Sequence, residues 1–224
     1  MIQKIEWDSS FFAKEIGKIE VDENFEEQTF YKEAQKYDLV YVFSKKDIPI
    51  KARLVDVKMT FTKTILRSES NTDVVKEFDP KEDDFNELLP LVYLSGHESR
   101  FFKDSFFGDK DFKKLYDNWI SNGLQSKDSK VLIQKIDGSI AGFVSYTSKH
   151  KLFKIELIAV KPRFQGQGIG ELLLKAVENR LPPNSILIVP TQEANTSACF
   201  FYKNFGFKLL SKQYIYHYEP NTFQ

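Results

Sequence analysis

Val160-Lys161-Pro162-Arg163-Phe164-Gln165-Gly166-Gln167-Gly168-Ile169-Gly170-Glu171-Leu172 decides how this chain is read. Before it stands Lys154-Ile155-Glu156-Leu157-Ile158-Ala159-Val160, rich in branched apolar residues and suited to a strand. After it, Ile169, Leu172, Leu173, Ala176 and Val177 recur at i, i+3, i+4, i+7 and i+8, one face of a helix. The stretch is therefore the end of a strand, a glycine-rich turn and a helix start. Gly166, Gly168 and Gly170 let the backbone approach a ligand with no Cβ in the way. The first N–H groups of the helix have no internal partner, and its dipole is positive at that end. Together these features suit a phosphate anion.

The spacing narrows the ligand. Gly-x-x-x-x-Gly-Lys-Ser/Thr is absent, so the loop is not a P-loop. Gly166-x-Gly168-x-Gly170 also misses the dinucleotide fingerprint, which has two residues before its last glycine. The pattern Gln165-x-x-Gly168-x-Gly170 after a Val-x-Pro segment closely resembles the pyrophosphate loop of the GNAT superfamily of N-acetyltransferases. The bland alternative is a tight strand-to-helix turn that holds nothing.

Composition sets outer limits. The 224 residues are 42% apolar and 15% aromatic, with 21 phenylalanines, enough for one large domain or two small ones. Lys+Arg and Asp+Glu both number 32, and a neutral chain argues against a general nucleic-acid binder. The single cysteine, Cys199, leaves no room for a disulfide framework, and His97, His150 and His217 show no metal-ligand spacing. No metal is expected. No apolar run is long enough for a membrane span, and the N-terminus lacks signal-peptide character, so the expectation is a cytoplasmic protein.

Residues 1–68 read as a small α/β subdomain, with strands at 16–21, 38–43 and 54–63 and a helix at 26–35. The polar stretch 67–73 reads as a linker. A second domain, 74–220, opens with a strand at 74–78. A helix follows from Phe85 to Leu94, which Pro90 is expected to kink or split. Next come a polar, aromatic loop at 95–104 and a helix at 111–122. Two strands, 131–136 and 140–146, flank Asp137-Gly138, a pair suited to a type I′ hairpin turn. Beyond the glycine loop and its helix, Pro182-Pro183 breaks the chain. The apolar run 186–189 suggests a strand covered on both faces. A helix at 195–204, with Asn195 at its N-cap and Gly206 past its end, precedes strands at 207–210 and 214–218. This order matches the GNAT order through the whole second region. The resemblance therefore implies a mixed, mostly antiparallel α/β sheet with a splayed central parallel strand pair.

Acetyl transfer from acetyl-CoA to an amine needs the cofactor held, the thioester carbonyl polarised, the amine neutral and the leaving thiolate protonated. The resemblance assigns holding to Gln165, Gly166, Gln167, Gly168, Ile169 and Gly170. It makes Ile158, Ala159 and Val160 the backbone partners of the pantetheine arm, on a strand splayed from residues 186–189. An N–H aimed at the developing oxyanion is worth ~3 kcal/mol. Asn195…Ala198…Phe201-Tyr202-Lys203-Asn204-Phe205-Gly206-Phe207 resembles the GNAT segment that carries the general acid, which makes Tyr202 the acid and Asn195 a cofactor contact. A tyrosine of pKa about 10 can protonate a thiolate whose thiol has pKa about 8.5. Tyr202 also reads as a core aromatic. Glu156 is the candidate base, directly or through water; its bland reading is a surface carboxylate paired with Lys154. Cys199 reads as a small buried residue, not a nucleophile.

The acceptor is argued from the rest of the chain. Trp7-Asp8-Ser9-Ser10-Phe11-Phe12, Ser99-Arg100-Phe101, Tyr116-x-x-Trp119-Ile120 and Thr191-Gln192 resemble segments of the TDP-fucosamine acetyltransferase family, whose acceptor is a TDP-4-amino-4,6-dideoxygalactose. On that basis Arg100 would pair with the sugar's phosphates, and Phe101, Phe102 or Phe106 would stack on the base or sugar. Separately, His97 reads either as a base in the acceptor pocket or as a capping or solvated loop histidine. The same segment also reads as a helix-connecting loop with its aromatics in the core. Other small amines, a protein N-terminus, or a non-catalytic acyl-CoA-binding regulatory module stay open. A homodimer joined through the C-terminal strands is a further option.

Overall fold

A computed structural model of the chain describes residues 1–66, 70–149, 152–220 and 222. In chain order the elements begin with β1 (Gln3–Lys4), α1 (Glu6–Phe12), β2 (Ile16–Glu20), α2 (Glu27–Ala34), β3 (Leu39–Ser44) and β4 (Arg53–Thr64). They continue with β5 (Val75–Glu77), α3 (Phe85–Ser95), α4 (Arg100–Lys103), α5 (Asp109–Gln125), β6 (Ser129–Ile136), β7 (Ser139–Lys149) and β8 (Leu152–Val160). The last are α6 (Ile169–Arg180), β9 (Ile186–Gln192), α7 (Thr196–Asn204) and β10 (Lys208–Tyr218). Among the described residues no helix is long and apolar enough to cross a membrane.

Two compact units result. One comprises Met1–Met59, Gln192–Thr196 and Ser211–Gln224; the other comprises Thr60–Thr191 and Ser197–Leu210. They part at Met59/Thr60, inside β4, whereas the sequence suggested the polar stretch 67–73, of which 67–69 lie outside the described residues. Residues beyond Met59 go with the second unit because Ile65 is 1% exposed and its N–H donates to Ser185 O at 2.9 Å.

The first unit is a small α/β body. β2 and β3 are parallel and joined through α2, β1 pairs antiparallel with β2, and Tyr214–Tyr218 of β10 pair antiparallel with β3. These C-terminal residues thus find their strand partner within the chain. Phe30, Val40, Val42, Tyr216 and Tyr218 form its core. The two strands expected at 207–210 and 214–218 are one continuous strand, β10.

The second unit carries the sheet β9-β8-β7-β6-β5, antiparallel except for the β8–β9 pair. Asp137 (φ 50°) and Gly138 (φ 80°) make the two-residue turn between β6 and β7, the type I′ geometry that matches strand twist. Pro90 does not split α3, which runs unbroken from Phe85 to Ser95. The carbonyl that Pro90 deprives of a partner belongs to Asn86, on the exposed side of the helix, where water can serve it. Residues 100–103, expected as loop, form the single turn α4. β9 is not covered on both faces: Leu187, Val189 and Thr191 are buried while Ile186 is 48% exposed, a period of two.

Candidate active site

β8 and β9 begin as a regular parallel pair and then part. Leu152, Phe153 and Lys154 register with Ile186, Leu187 and Ile188, and no pairing follows, although β8 runs on to Val160 and β9 to Gln192. Two local features account for this. Pro190 stands two residues beyond Ile188 in β9 and has no N–H to continue a ladder. On the other side of β8, Ser145 of β7 registers with Leu157 while Tyr146 registers with Ile155, so Glu156 is an extra, unpaired residue. Such a bulge bends its strand and sharpens the local twist. Ser145 Oγ accepts the Leu157 N–H at 3.1 Å and holds the bulge in place.

The free half of β8, with Ile158, Ala159 and Val160, leads straight into the glycine loop. Pro162–Phe164 form one 3-10 turn. Gln165 Nε2 donates to Val160 O at 3.0 Å and Gln167 Nε2 to Arg163 O at 3.1 Å, so the two glutamine amides brace the loop. Gly166 and Gly168 have φ of 75° and 81°, a conformation that side chains with a Cβ resist. Gly168 is the N-cap of α6 and has no side-chain cap; the first bond within the helix runs from Leu172 N–H to Gly168 O at 3.0 Å. The N–H groups of Ile169, Gly170 and Glu171 precede that bond and point out of the helix end, as an anion site requires.

The loop is anchored from beneath. Ile169, Leu173, Leu174, Ala176 and Val177 are buried, with Leu174 taking the place expected for Leu172. A Cβ on Gly142 of β7 would come within 3.1 Å of Ile169 Cγ2 and 3.2 Å of Leu173 Cδ1, which sets how closely α6 lies on the sheet. A Cβ on Gly170 would meet Phe201 Cζ at 3.2 Å, so α7 packs against the first turn of α6. Lys63 strengthens that packing, pairing with Glu178 Oε1 of α6 at 2.6 Å and donating to Phe205 O, past the end of α7, at 3.0 Å.

Tyr202 follows Phe201 on α7 and is 3% exposed. Its ring lies 5.4 Å from Phe201, 5.8 Å from Phe207 and 6.1 Å from Phe61. Burial, with the nearby Cys199 second, pushes its hydroxyl well above the ordinary tyrosine pKa. It is a core aromatic by packing and stays protonated throughout the neutral range. Asn195, in the turn before α7, belongs to the first unit, where its N–H donates to Gln192 O at 3.0 Å.

Glu156 is paired with Lys154, Oε2 to Nζ at 2.9 Å, as its bland reading supposed. It is nevertheless no surface group: its side chain is 12% exposed, and Oε1 accepts from Thr147 Oγ1 at 3.0 Å. It lines a cavity of about 200 Å³ together with Trp119, Asn122, Ser126, Ser129 and Thr147. No local sequence signal marks this cavity; Trp119 stands out only through the Tyr116-x-x-Trp119-Ile120 resemblance. His97, Arg100 and Phe101 lie outside its lining. Phe101 packs on Phe107 at 5.1 Å, the Arg100 guanidinium lies 4.4 Å over the Phe101 ring, and His97 stacks on Phe102 at 4.7 Å. A larger cavity of about 560 Å³ in the first unit is lined by Lys18, Glu20, Asp22 and Glu26 among others and includes no residue of the loop, β8 or α7.

Comparison with known proteins bears on the family and the fold. The family model of the acetyltransferase (GNAT) domain matches residues 102–217. The spore coat polysaccharide biosynthesis protein SpsD of Bacillus subtilis (strain 168) is 26% identical over 143 residues, 63% of this chain and 50% of that protein. The match thus spans half the length of that relative. Among solved structures, a functionally unknown conserved protein from Staphylococcus epidermidis ATCC 12228 superposes with a TM-score of 0.67 at 15% identity, over 91% of this chain and 83% of that one. A GCN5-related N-acetyltransferase from Sphaerobacter thermophilus gives 0.51 at 15% identity, over 81% and 60%.

Proposed function

Because the chain belongs to the GNAT acetyltransferases, whose acyl donor is acetyl-CoA, we propose that it acetylates the amine of a nucleotide-linked 4-amino-4,6-dideoxy sugar. The observation that carries the transfer reading is the parting of β8 and β9 beyond Lys154 and Ile188, with the glycine loop and the bare N-terminus of α6 at the far end of β8. That arrangement offers unpaired strand backbone to an extended thioester arm and N–H groups to its pyrophosphate. The sugar acceptor is supported by the similarity to SpsD, a spore coat polysaccharide biosynthesis protein.

The amine nitrogen attacks the thioester carbonyl carbon. A C–N bond forms, and an N–H of the free half of β8 stabilises the oxyanion. The C–S bond then breaks. The amine's proton passes to Glu156, directly or through one water, Tyr202 supplies a proton to the thiolate, and the proton held by Glu156 returns to Tyr202 through solvent to close the cycle. In this reading Gln165, Gly166, Gln167, Gly168, Ile169 and Gly170 hold the pyrophosphate, and Ile158, Ala159 and Val160 hold the arm.

Thiol release from acetyl-CoA tests the proposal, with TDP-4-amino-4,6-dideoxygalactose beside spermidine and an alanine-initiated peptide. Saturable release with the nucleotide sugar alone is expected. Release only with a control amine would keep the transfer and discard the sugar. Bound acetyl-CoA with no release from any amine would replace the enzyme by an acyl-CoA-binding module.

A further inference from the structure

We infer that the cavity between α5 and the bulge of β8 is the acceptor subsite, and that it takes the amino-sugar ring itself with its amine at Glu156. The inference rests on the transfer reading above and adds the residues that choose the acceptor.

Three observations converge. First, Glu156 is at once the bulge residue of β8 and part of the cavity lining, and it lies two residues beyond the last β8–β9 pair. An amine bound to its carboxylate therefore lies where the two strands open, next to the stretch of β8 whose backbone is free for a thioester. Thr147 and Lys154 occupy one lone pair on each carboxylate oxygen, which leaves further acceptor capacity for an ammonium.

Second, the rest of the lining has the chemistry of a sugar site. Trp119 brings an aromatic ring to the lining, which suits the apolar side of a pyranose ring. Asn122, Ser126 and Ser129 offer an amide and two hydroxyls, able both to donate and to accept, to its hydroxyl groups. Among the described residues of this lining Glu156 is the only ionisable group, with the Lys154 ammonium beside it at 2.9 Å, and its carboxylate is the group that would bind the amine.

Third, the volume suits a ring. About 200 Å³ falls below the roughly 300–1,000 Å³ of pockets for drug-sized ligands. That is room for one hexose ring, with a nucleoside diphosphate extending out of the open side. Ring recognition by α5 is therefore separate from any contact with the nucleotide.

Trp7 and Trp119 are the only tryptophans, and Trp7 is 52% exposed in the other unit. A Trp7→Phe protein thus reports Trp119 fluorescence alone. It is titrated, without acetyl-CoA, with TDP-4-amino-4,6-dideoxygalactose, with free 4-amino-4,6-dideoxygalactose and with fucose, the neutral analogue. The expected result is a saturable change with both amino sugars and at least a tenfold weaker response to fucose. Glu156→Gln weakens the amino sugars by about tenfold, the loss expected of a hydrogen-bonded charge. Asn122→Ala, an exposed helix position that leaves folding intact, weakens them while acetyl-CoA affinity stays unchanged. A Trp119 signal indifferent to the amino sugars, or equal for amino sugar and fucose, overturns the subsite even if thiol release proceeds. Saturable binding with no thiol release keeps the subsite and sinks the transfer reading instead.

Discussion

Thr147 Oγ1 donates to Glu156 Oε1 at 3.0 Å, across the one position where β8 carries a residue with no partner in β7. The bond fixes the direction of a largely buried carboxylate that a regular strand would have turned elsewhere. A hydrogen bond to a charged group contributes about 1.5–3 kcal/mol. Thr147→Val, close in shape, should therefore lower kcat/KM for the amine about tenfold and leave the KM for acetyl-CoA unchanged. Glu156→Gln should cost about 10²-fold or more, the scale of a lost general base. A Thr147→Val enzyme with wild-type kcat/KM would show that the carboxylate needs no such aiming.

Tyr202 is buried and neutral, so its role separates from its packing. Tyr202→Phe keeps the ring among Phe61, Phe201 and Phe207. It should cut kcat about 10²-fold with little change in acetyl-CoA KM; unchanged turnover removes Tyr202 from the reaction. The pH dependence follows from the direction of its shift. The folded-state pKa lies above the unfolded value of about 10, so the stability linked to neutral Tyr202 is complete below pH ~10 and is lost as pH rises beyond it. Alkaline unfolding above pH ~10 should be less steep in Tyr202→Phe than in wild type. The activity profile between pH 6 and 9 should show no limb that belongs to Tyr202.

The glycine loop was legible in the sequence because it is local. Gln165, Gly168 and Gly170 act within one turn of chain, and the strand before and the helix after carry their own periods. The cause of the strand parting, Pro190, is also present in the sequence, but it stands just beyond the apolar run 186–189 and outside its strand pattern. The bulge at Glu156 was not legible, because no residue type marks it; it is a mismatch in register between β7 and β8. Helix α1 is similarly hidden. Its seven residues have no strong helical period, and it is held by Ser9, whose Oγ donates to Ile16 O at 3.2 Å and accepts from Ile16 N–H at 3.0 Å. The cavity needs the faces of α5 laid over β6, β7 and β8, a long-range arrangement. The Arg100 segment was assigned from short motifs, and its aromatics pack on one another.

Two glycines with similar backbone angles allow a controlled test of the loop. Gly168 (φ 81°) caps α6, and Gly138 (φ 80°) turns the β6–β7 hairpin; a Cβ at either would meet nothing within 4 Å. Valine at either position costs stability through backbone strain alone, on the order of 1–2 kcal/mol. Only Gly168→Val displaces the N–H groups of the helix start. It should weaken acetyl-CoA binding more than about tenfold by calorimetry, the loss of one or more charge-assisted bonds, while Gly138→Val binds as wild type. Equal affinities would remove the loop from the cofactor site.

Gly96 and Tyr116 couple the packing of the second unit to the acceptor cavity. A Cβ on Gly96 would overlap Tyr116 Cζ and lie 2.7 Å from its hydroxyl oxygen. Tyr116 is 4% exposed and packs between Phe112 at 4.6 Å and Trp119 at 5.7 Å, so its ring has nowhere easy to go. Gly96→Ala should cost about 1–3 kcal/mol as an overpacked core does, a fall in Tm of roughly 2–4 °C per kcal/mol for a chain of this size. Adding Tyr116→Leu removes the clashing atoms and should recover most of that Tm. It also removes the ring that supports Trp119. The double variant should therefore melt near wild type yet retain a raised KM for the amino sugar, with acetyl-CoA KM unchanged. Recovery of both Tm and sugar KM would mean that Trp119 holds its place without Tyr116 or does not touch the acceptor. A Tm that stays low in the double variant would locate the strain elsewhere than in this contact.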